Sequence, residues 1–234
     1  MNILGVVVAR GGSKGLPKKN LLKLGNKSLV EIAIESAIKS KLLNKVVVST
    51  DDKEIYEIAK TSRADVPFLR PKRLATDKSS VFDVLKHCVK WLINNQKWTA
   101  DIVVLLQSTT PFRKPDHIDN VIKLLIKNNT NSAMTVVKPD YPPHWMLTMD
   151  KKLSLKRLID DDKVYHRRQD TPKVFQPAGS VYAIKRDALF NLIGNLPQAD
   201  TLGFEISQDE AVNIDNLIQY KLAEALWDNN NNNE

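Results

Sequence analysis

Val6-Val7-Val8-Ala9-Arg10-Gly11-Gly12-Ser13-Lys14-Gly15-Leu16-Pro17-Lys18-Lys19-Asn20 is the stretch whose reading decides the fold class. The apolar run from Ile3 to Ala9 is short, β-branched and ends at glycine, which is how a strand buried on both faces reads. The loop behind it holds three glycines, three lysines, an arginine and a serine. Glycine lets backbone N–H groups approach and cradle a phosphate, because no Cβ stands in the way. Arg10, Lys14, Lys18 and Lys19 supply the positive charge that a polyphosphate needs. The loop is not G-x-G-x-x-G, and it lacks the spacing and the Lys-Ser/Thr ending of a Walker A loop. On the residues alone two readings stand, a phosphate site and a solvated basic turn.

Outward from this stretch the chain alternates. Ser28 to Leu42 carries apolar residues at helical spacing, and Ser28 with Glu31 forms a capping-box start. A second buried strand follows at Lys45–Thr50, completing a βαβ unit with a right-handed crossover. Asp51 and Asp52 sit at its carboxyl end, where ligands gather in open α/β sheets, and Asp52 equally reads as the N-cap of a helix over 53–61, the favoured of the two roles. A proline-bounded loop from Pro67 to Ser80 leads into a helix of about 80–94. A strand at 102–106 runs into a polar turn ending at Arg113, and a helix at 115–128 and a strand at 132–137 come next. The rhythm breaks from Lys138 to Lys173, with Pro139, Pro142 and Pro143 at its start. It returns as a strand at 180–184 and a short helix at 186–192. The pattern predicts an α/β fold, doubly wound about a mostly parallel, Rossmann-like sheet. Residues 229–234 are polar and low in complexity, and are expected to be a disordered tail.

The chain's 234 residues suit one such domain with a modest insertion. Its 42% hydrophobic and 26% charged residues are those of an ordinary globular protein. The amino terminus has neither a basic n-region nor an apolar h-region, and the apolar runs are strand-sized, so neither a signal peptide nor a membrane-spanning helix is expected. The single cysteine, Cys88, makes no internal disulfide and no cysteine metal cluster, which fits a cytoplasmic location. Helical periodicity around it predicts a buried side chain. The net charge is +8, which leaves nucleic acid, a membrane surface or anionic substrates as partners. Acidic residues separate the basic clusters, and neither an RNA-binding aromatic signature nor a helix-turn-helix pattern is present. Nucleic-acid and membrane partners are therefore not expected, and the charge outside the loops reads as a solvated face.

Ala-Arg-Gly-Gly-Ser-Lys-Gly-Leu-Pro-x-Lys-Asn resembles the signature loop of the acylneuraminate cytidylyltransferases, which make CMP-activated sialic acids and related nonulosonic acids. Further blocks extend the resemblance, in family order, to about Leu226. The resemblance implies a nucleotidyltransferase-type fold in a single domain over 1–228, with a protruding dimerisation arm at about 138–175 and therefore a homodimer. It implies that Arg10, Gly11, Gly12, Ser13, Lys14 and Asn20 bind CTP, joined by Arg70 and Ser80 from the Arg-Pro…Leu-Ala-Thr-Asp-x-Ser-Ser block. Taken alone, that second block also reads as a surface residue at Arg70 and a helix cap at Ser79 or Ser80. Leu-Leu-Gln107-Ser108-Thr-Thr-Pro-Phe112-Arg resembles a third block, with Ser108 for the family's proline and Phe112 for its leucine. Gln107 there serves both nucleotide and sugar.

Arg168-Gln169-Asp…Pro-Ala-Gly-Ser-Val-Tyr182 resembles the block that holds the acidic nine-carbon sugar. Arg168 would engage the sugar's carboxylate through its bidentate fork, with Gln169 and Tyr182 beside it. Ala178 stands where relatives carry asparagine, which removes an amide from the sugar's surroundings. The closing block, Asp-Ile-Asp in the family, reads Asn213-Ile-Asp215 here, with Gln219 for a later aspartate. Asp215 and Asn213 would hold Mg²⁺, Asn213 through its uncharged carbonyl oxygen. Asp209 and Glu210 are further candidates for a missing ligand, or exposed loop charges.

The implied reaction is attack of the sugar's anomeric hydroxyl on the α-phosphate of CTP, releasing pyrophosphate. Charge builds on phosphoryl oxygens in such a transfer, so cations and positioning carry the catalysis. Lys19, Arg10 and Lys14 are the catalytic candidates. Two alternatives remain open: transfer to another sugar acid of the Kdo type, and a non-catalytic basic nucleotide-binding protein of the same fold.

Overall fold

The computed structural model describes residues 1–231 apart from Lys14 and Asp162. The elements run β1 (Ile3–Val8), β2 (Lys23–Leu24), β3 (Lys27–Ser28), α1 (Leu29–Ile38), β4 (Lys45–Ser49), α2 (Lys53–Lys60), α3 (Val81–Gln96), β5 (Ile102–Gln107), α4 (Pro115–Asn128), β6 (Ser132–Val137), β7 (Leu147–Met149), β8 (Leu155–Arg157), β9 (Gln176–Lys185), α5 (Arg186–Asn191), β10 (Leu202–Glu205) and α6 (Leu217–Asn231). Six strands form the central sheet in the order β10-β6-β9-β5-β1-β4. β1 pairs in parallel with β4 and β5, and β10 with β6, while β9 runs antiparallel to both β5 and β6.

Strand alternation splits the core into two layers. Ile3 and Val7 of β1, with Val104 and Leu106 of β5, face α1, α2 and α4. Leu4 and Val6, with Val103 and Leu105, face α3 and α5. Burial on both faces is why these strands read as unbroken apolar runs. The capping box at α1 forms as expected, with the Glu31 carboxylate accepting the Ser28 N–H at 2.8 Å. Asp52 caps α2 by accepting the Glu54 and Ile55 N–H groups. Cys88 is fully buried on α3, and burial pushes its thiol up to about 12.

Some sequence expectations change. The returning strand begins at Gln176 rather than 180, because β9 also pairs with the end of β6 through Val136↔Pro177 and Val137↔Gln176. β10 has no counterpart in the sequence reading: it is four residues long with a central glycine, too short for a period to show. The tail expected from residue 229 is helical as far as Asn231, since extending an existing helix is far easier than starting one. Residues 232–234 lie outside the described residues. Within 138–175, β7 and β8 form a two-stranded sheet of their own. Leu147, Met149, Leu153, Leu155 and Leu158 are exposed there.

Candidate active site

Among the strands of the central sheet β1 is followed in the chain by β4, which pairs on one side of it, and β5 then takes the other. The crevice at the carboxyl ends of β1 and β5 is thus the topological switch point, where open α/β sheets bind ligands. A cleft of about 300 Å³ opens there, and Arg10, Ser13, Lys19, Asn20, Arg70, Gln107 and Asp215 all line it. Lys14 lies outside the described residues.

The glycine loop is braced from below. Asn20, 4% exposed, donates from Nδ2 to the Arg10 carbonyl (2.8 Å) and accepts the Ser108 hydroxyl at Oδ1 (2.7 Å). Its side chain therefore shapes the loop, and the serine that replaces the family's proline is part of that brace. Gly11 donates its N–H to Asp51 Oδ1 (3.2 Å), and a Cβ at Gly11 would meet the Asp52 side chain at 2.6 Å. At Gly15 a Cβ would collide with the Asp215 backbone carbonyl. Of the loop's three glycines Gly12 alone faces open space, with no described residue within 4 Å of a Cβ. Two of the three glycines thus answer to the protein's own packing, and the third leaves backbone accessible to a ligand.

Cations line the cleft at different depths. Arg10 pairs with Asp77 at 3.0 Å on the rim. Lys18, left-handed at φ 52°, turns the chain and pairs away from the cleft with Glu54 at 2.8 Å. Lys19 turns inward and donates to Asp215 Oδ1 at 2.7 Å. Arg70 is buried, its guanidinium donating to the Ser49 carbonyl and to Ser49 Oγ (3.1 Å). Burial lowers its pKa, opposed by the charge of Asp51. Ser80 caps α3, accepting the Phe82 N–H at 3.2 Å, and it is the neighbouring Ser79 that lines the cleft. The helix-cap reading of Ser80 thus holds for its hydroxyl.

The closing segment completes the cleft. Ile214 donates its N–H to the Thr109 carbonyl (2.8 Å), which docks the segment onto the turn after β5. Asn213 Nδ2 donates to Asp215 Oδ2 (2.9 Å), and Asn213 Oδ1 is buried without a partner among the described residues. With the carboxylate opposite, the amide must turn its nitrogen that way, which orphans the oxygen. Among the described residues no three His, Cys, Asp or Glu side chains converge as a metal cluster. Glu210 is drawn elsewhere: it accepts from Ser207 and pairs with Lys114 at 2.6 Å. Partial burial works to raise its pKa, yet those contacts hold it at about 2.

The expected sugar residues are spread over three places. Gln107 is in the cleft. Tyr182 is half-buried against the α3 layer, because it alternates with Val181 and Ala183 on β9. Burial raises the pKa of its phenol. Arg168 and Gln169 line a separate groove at the base of the 138–175 excursion, where Arg168 Nη2 donates to the Pro139 carbonyl (2.8 Å). Ala178 is 4% exposed and packs with Val137 and Ile206, so its methyl fills an apolar pocket. The sequence reading named Ser79 only as a helix-cap alternative and gave no site role to Asp77, though both line the cleft, nor to Arg113 beneath it. The only signal for Arg113 was its place at the end of the β5 block.

The sequence matches the cytidylyltransferase family over residues 4–231. It is 34% identical over 237 residues to the CMP-N,N'-diacetyllegionaminic acid synthase of Legionella pneumophila, covering 98% of both chains. It is 30% identical over 182 residues to the pseudaminic acid cytidylyltransferase of Campylobacter jejuni, covering 78% of both. The fold is similar to that of a CMP:2-keto-3-deoxy-manno-octonic acid synthetase solved with CTP, at a TM-score of 0.71 and 21% identity, covering 98% of this chain and all of that one.

Proposed function

Because the chain belongs to the cytidylyltransferase family, among the CMP-nonulosonic acid synthetases, we propose that it transfers CMP from CTP to the anomeric hydroxyl of a nonulosonic acid and releases pyrophosphate. The observation that carries this reading is the cleft at the β1–β5 switch point, where Arg10, Ser13, Lys19, Gln107 and Asp215 meet a Gly12 that no described residue obstructs. Arg10 and Lys19 neutralise the triphosphate and the charge that builds as the α-phosphate is attacked. Gly12 lets the backbone approach the phosphates, and the Ser13 hydroxyl donates to them. Gln107 offers an amide donor and acceptor to the nucleotide or the sugar. Lys14, from the same loop, adds a further cation.

The donor set fits a magnesium ion. Mg²⁺ needs only one or two carboxylates besides phosphate oxygens and waters, and Asp215 supplies one carboxylate. The orphaned Asn213 Oδ1 is an acceptor in want of a partner, and a modest turn of the amide offers it to a cation. Asp215 and Asn213 would hold the ion, which on binding would neutralise phosphate charge. Lys19 then exchanges Asp215 for a phosphate oxygen as its partner.

The proposal extends to a homodimer formed through the 138–175 arm, supported by the run of exposed apolar side chains there, a patch of a kind that soluble monomers seldom keep. Arg168 and Gln169 would reach the sugar once the arms are packed. Among the described residues no helix is long and apolar enough to cross a membrane. We place the activity in the cytoplasm, with the CTP pool. Pyrophosphate release from CTP, measured with sialic, legionaminic, pseudaminic and Kdo-type acids with and without Mg²⁺, tests the reading. Turnover restricted to a Kdo-type acid would move the substrate class, and CTP binding with no turnover would favour a binding protein.

A further inference from the structure

Arg113 is 3% exposed in the turn between β5 and α4, and among the described residues none of its hydrogen-bond or ion-pair partners is an acid. A buried charge without an opposite charge is costly. This one also lies at the N-terminal end of α4, whose dipole has the same sign. Burial pulls its pKa down to about 9, which still leaves it charged at neutral pH. A residue kept under such conditions must be using its geometry.

The guanidinium fork spans four elements. Nη1 donates to the Gln107 carbonyl at 2.7 Å and to the Ser180 carbonyl at 3.1 Å, with Thr110 Oγ1 at 3.2 Å. Nε donates to Ser36 Oγ at 3.2 Å, and Nη2 reaches the Ala33 carbonyl at 3.4 Å. One side chain thus ties α1 and β9 to the end of β5 and the turn behind it. That turn is the seat of the closing segment, since the Thr109 carbonyl accepts the Ile214 N–H next to Asp215. A lysine could keep the charge, but its single nitrogen cannot reproduce a planar fork with five donors.

We propose that Arg113 is a positioning residue for nucleotidyl transfer, holding the Gln107–Thr110 turn so that Gln107 and, through Ile214, Asp215 are presented together at the cleft. Its catalytic consequence rests on the function proposed above; its structural part does not. The test uses the full chain with Arg113→Lys, Arg113→Gln and Thr110→Val, the last of which leaves the arginine in place and removes one acceptor. Amide hydrogen exchange at Ile214 is the first readout. Exchange should be at least 10-fold faster in Arg113→Lys, and faster to a smaller degree in Thr110→Val, with the amides of Val6 and Val47 unchanged. Pyrophosphate release is the second: kcat should fall on the order of 30–100-fold in Arg113→Lys, more than KM for CTP rises. Unchanged Ile214 exchange in the folded variants would overturn the proposal, as would wild-type kcat with only a lower Tm. If the wild type turns over none of the acids, the function has failed, and Ile214 exchange still decides the positioning role. If neither arginine variant folds, Thr110→Val decides it by the same readouts.

Discussion

Gly15→Ala is the substitution in which the structure and a plain reading of the loop differ most. The loop reads as a phosphate cradle, and on that reading every glycine in it makes room for ligand. In the structure Gly15 makes room for Asp215: a Cβ there would lie closer to the Asp215 carbonyl oxygen than any real Cβ approaches backbone. Ordinary carbon–oxygen contact needs about 3.3 Å, so the loop and the closing segment must part by roughly 1 Å. The neighbour is backbone, pinned through Ile214 to Thr109, and cannot swing aside as a side chain would. A misplacement of about 1 Å at reacting groups costs around 10²-fold in rate, or about 2.7 kcal/mol of transition-state stabilisation. The expected result is a kcat near 1% of wild type with a raised half-saturating Mg²⁺ concentration, measured by pyrophosphate release at saturating CTP. Thermal melting should register a modest loss, within the roughly 1–3 kcal/mol typical of overpacking. Gly12→Ala is the control, since none of the described residues opposes its methyl. It should melt like wild type while raising KM for CTP. If Gly15→Ala keeps kcat and Mg²⁺ dependence within twofold of wild type, the inferred coupling between loop and closing segment is refuted.

Asp215→Asn should nearly abolish turnover, whereas Asn213→Asp should tighten metal binding by adding a second carboxylate; Mg²⁺ titrations of initial rate and of melting temperature check both, and full activity in Asp215→Asn would remove Asp215 from the site. Glu210→Gln should lower the melting temperature at pH 7. Because the folded Glu210 titrates at about 2 against an ordinary 4.5, its stabilisation is present above about 4.5 and is lost as pH falls toward 2. The difference from wild type should therefore shrink across that window, and a gap independent of pH would argue against an ionised clamp. Leu155→Glu, on the exposed arm, should yield a monomer in sedimentation at micromolar concentrations, and a monomeric wild type would rule out the arm-mediated dimer.

By itself the sequence determined the strand and helix alternation, because strands buried on both faces and helices with local caps write their partners into neighbouring residues. Ser28 with Glu31 and Asp52 with Ile55 are contacts three residues apart, so a linear reading finds them. It also determined that a basic glycine loop follows the first strand, and through ordered motifs it pointed to the family. Which way the described loop residues face was settled only in three dimensions. Gly11 and Gly15 answer to Asp52 and Asp215, partners 41 and 200 positions away, and no local pattern carries that information. The same holds for Ser79 facing the cleft while Ser80 caps a helix, and for β9 inserting antiparallel between β5 and β6. Arg113 is the plainest case. In sequence it is one more cation in a basic chain, and only the convergence of α1, β5 and β9 gives its guanidinium enough acceptors to be buried. Tertiary structure decides such positions because burial and hydrogen-bond satisfaction are set by residues distant in the chain, whereas periodicity and capping are set by adjacent ones.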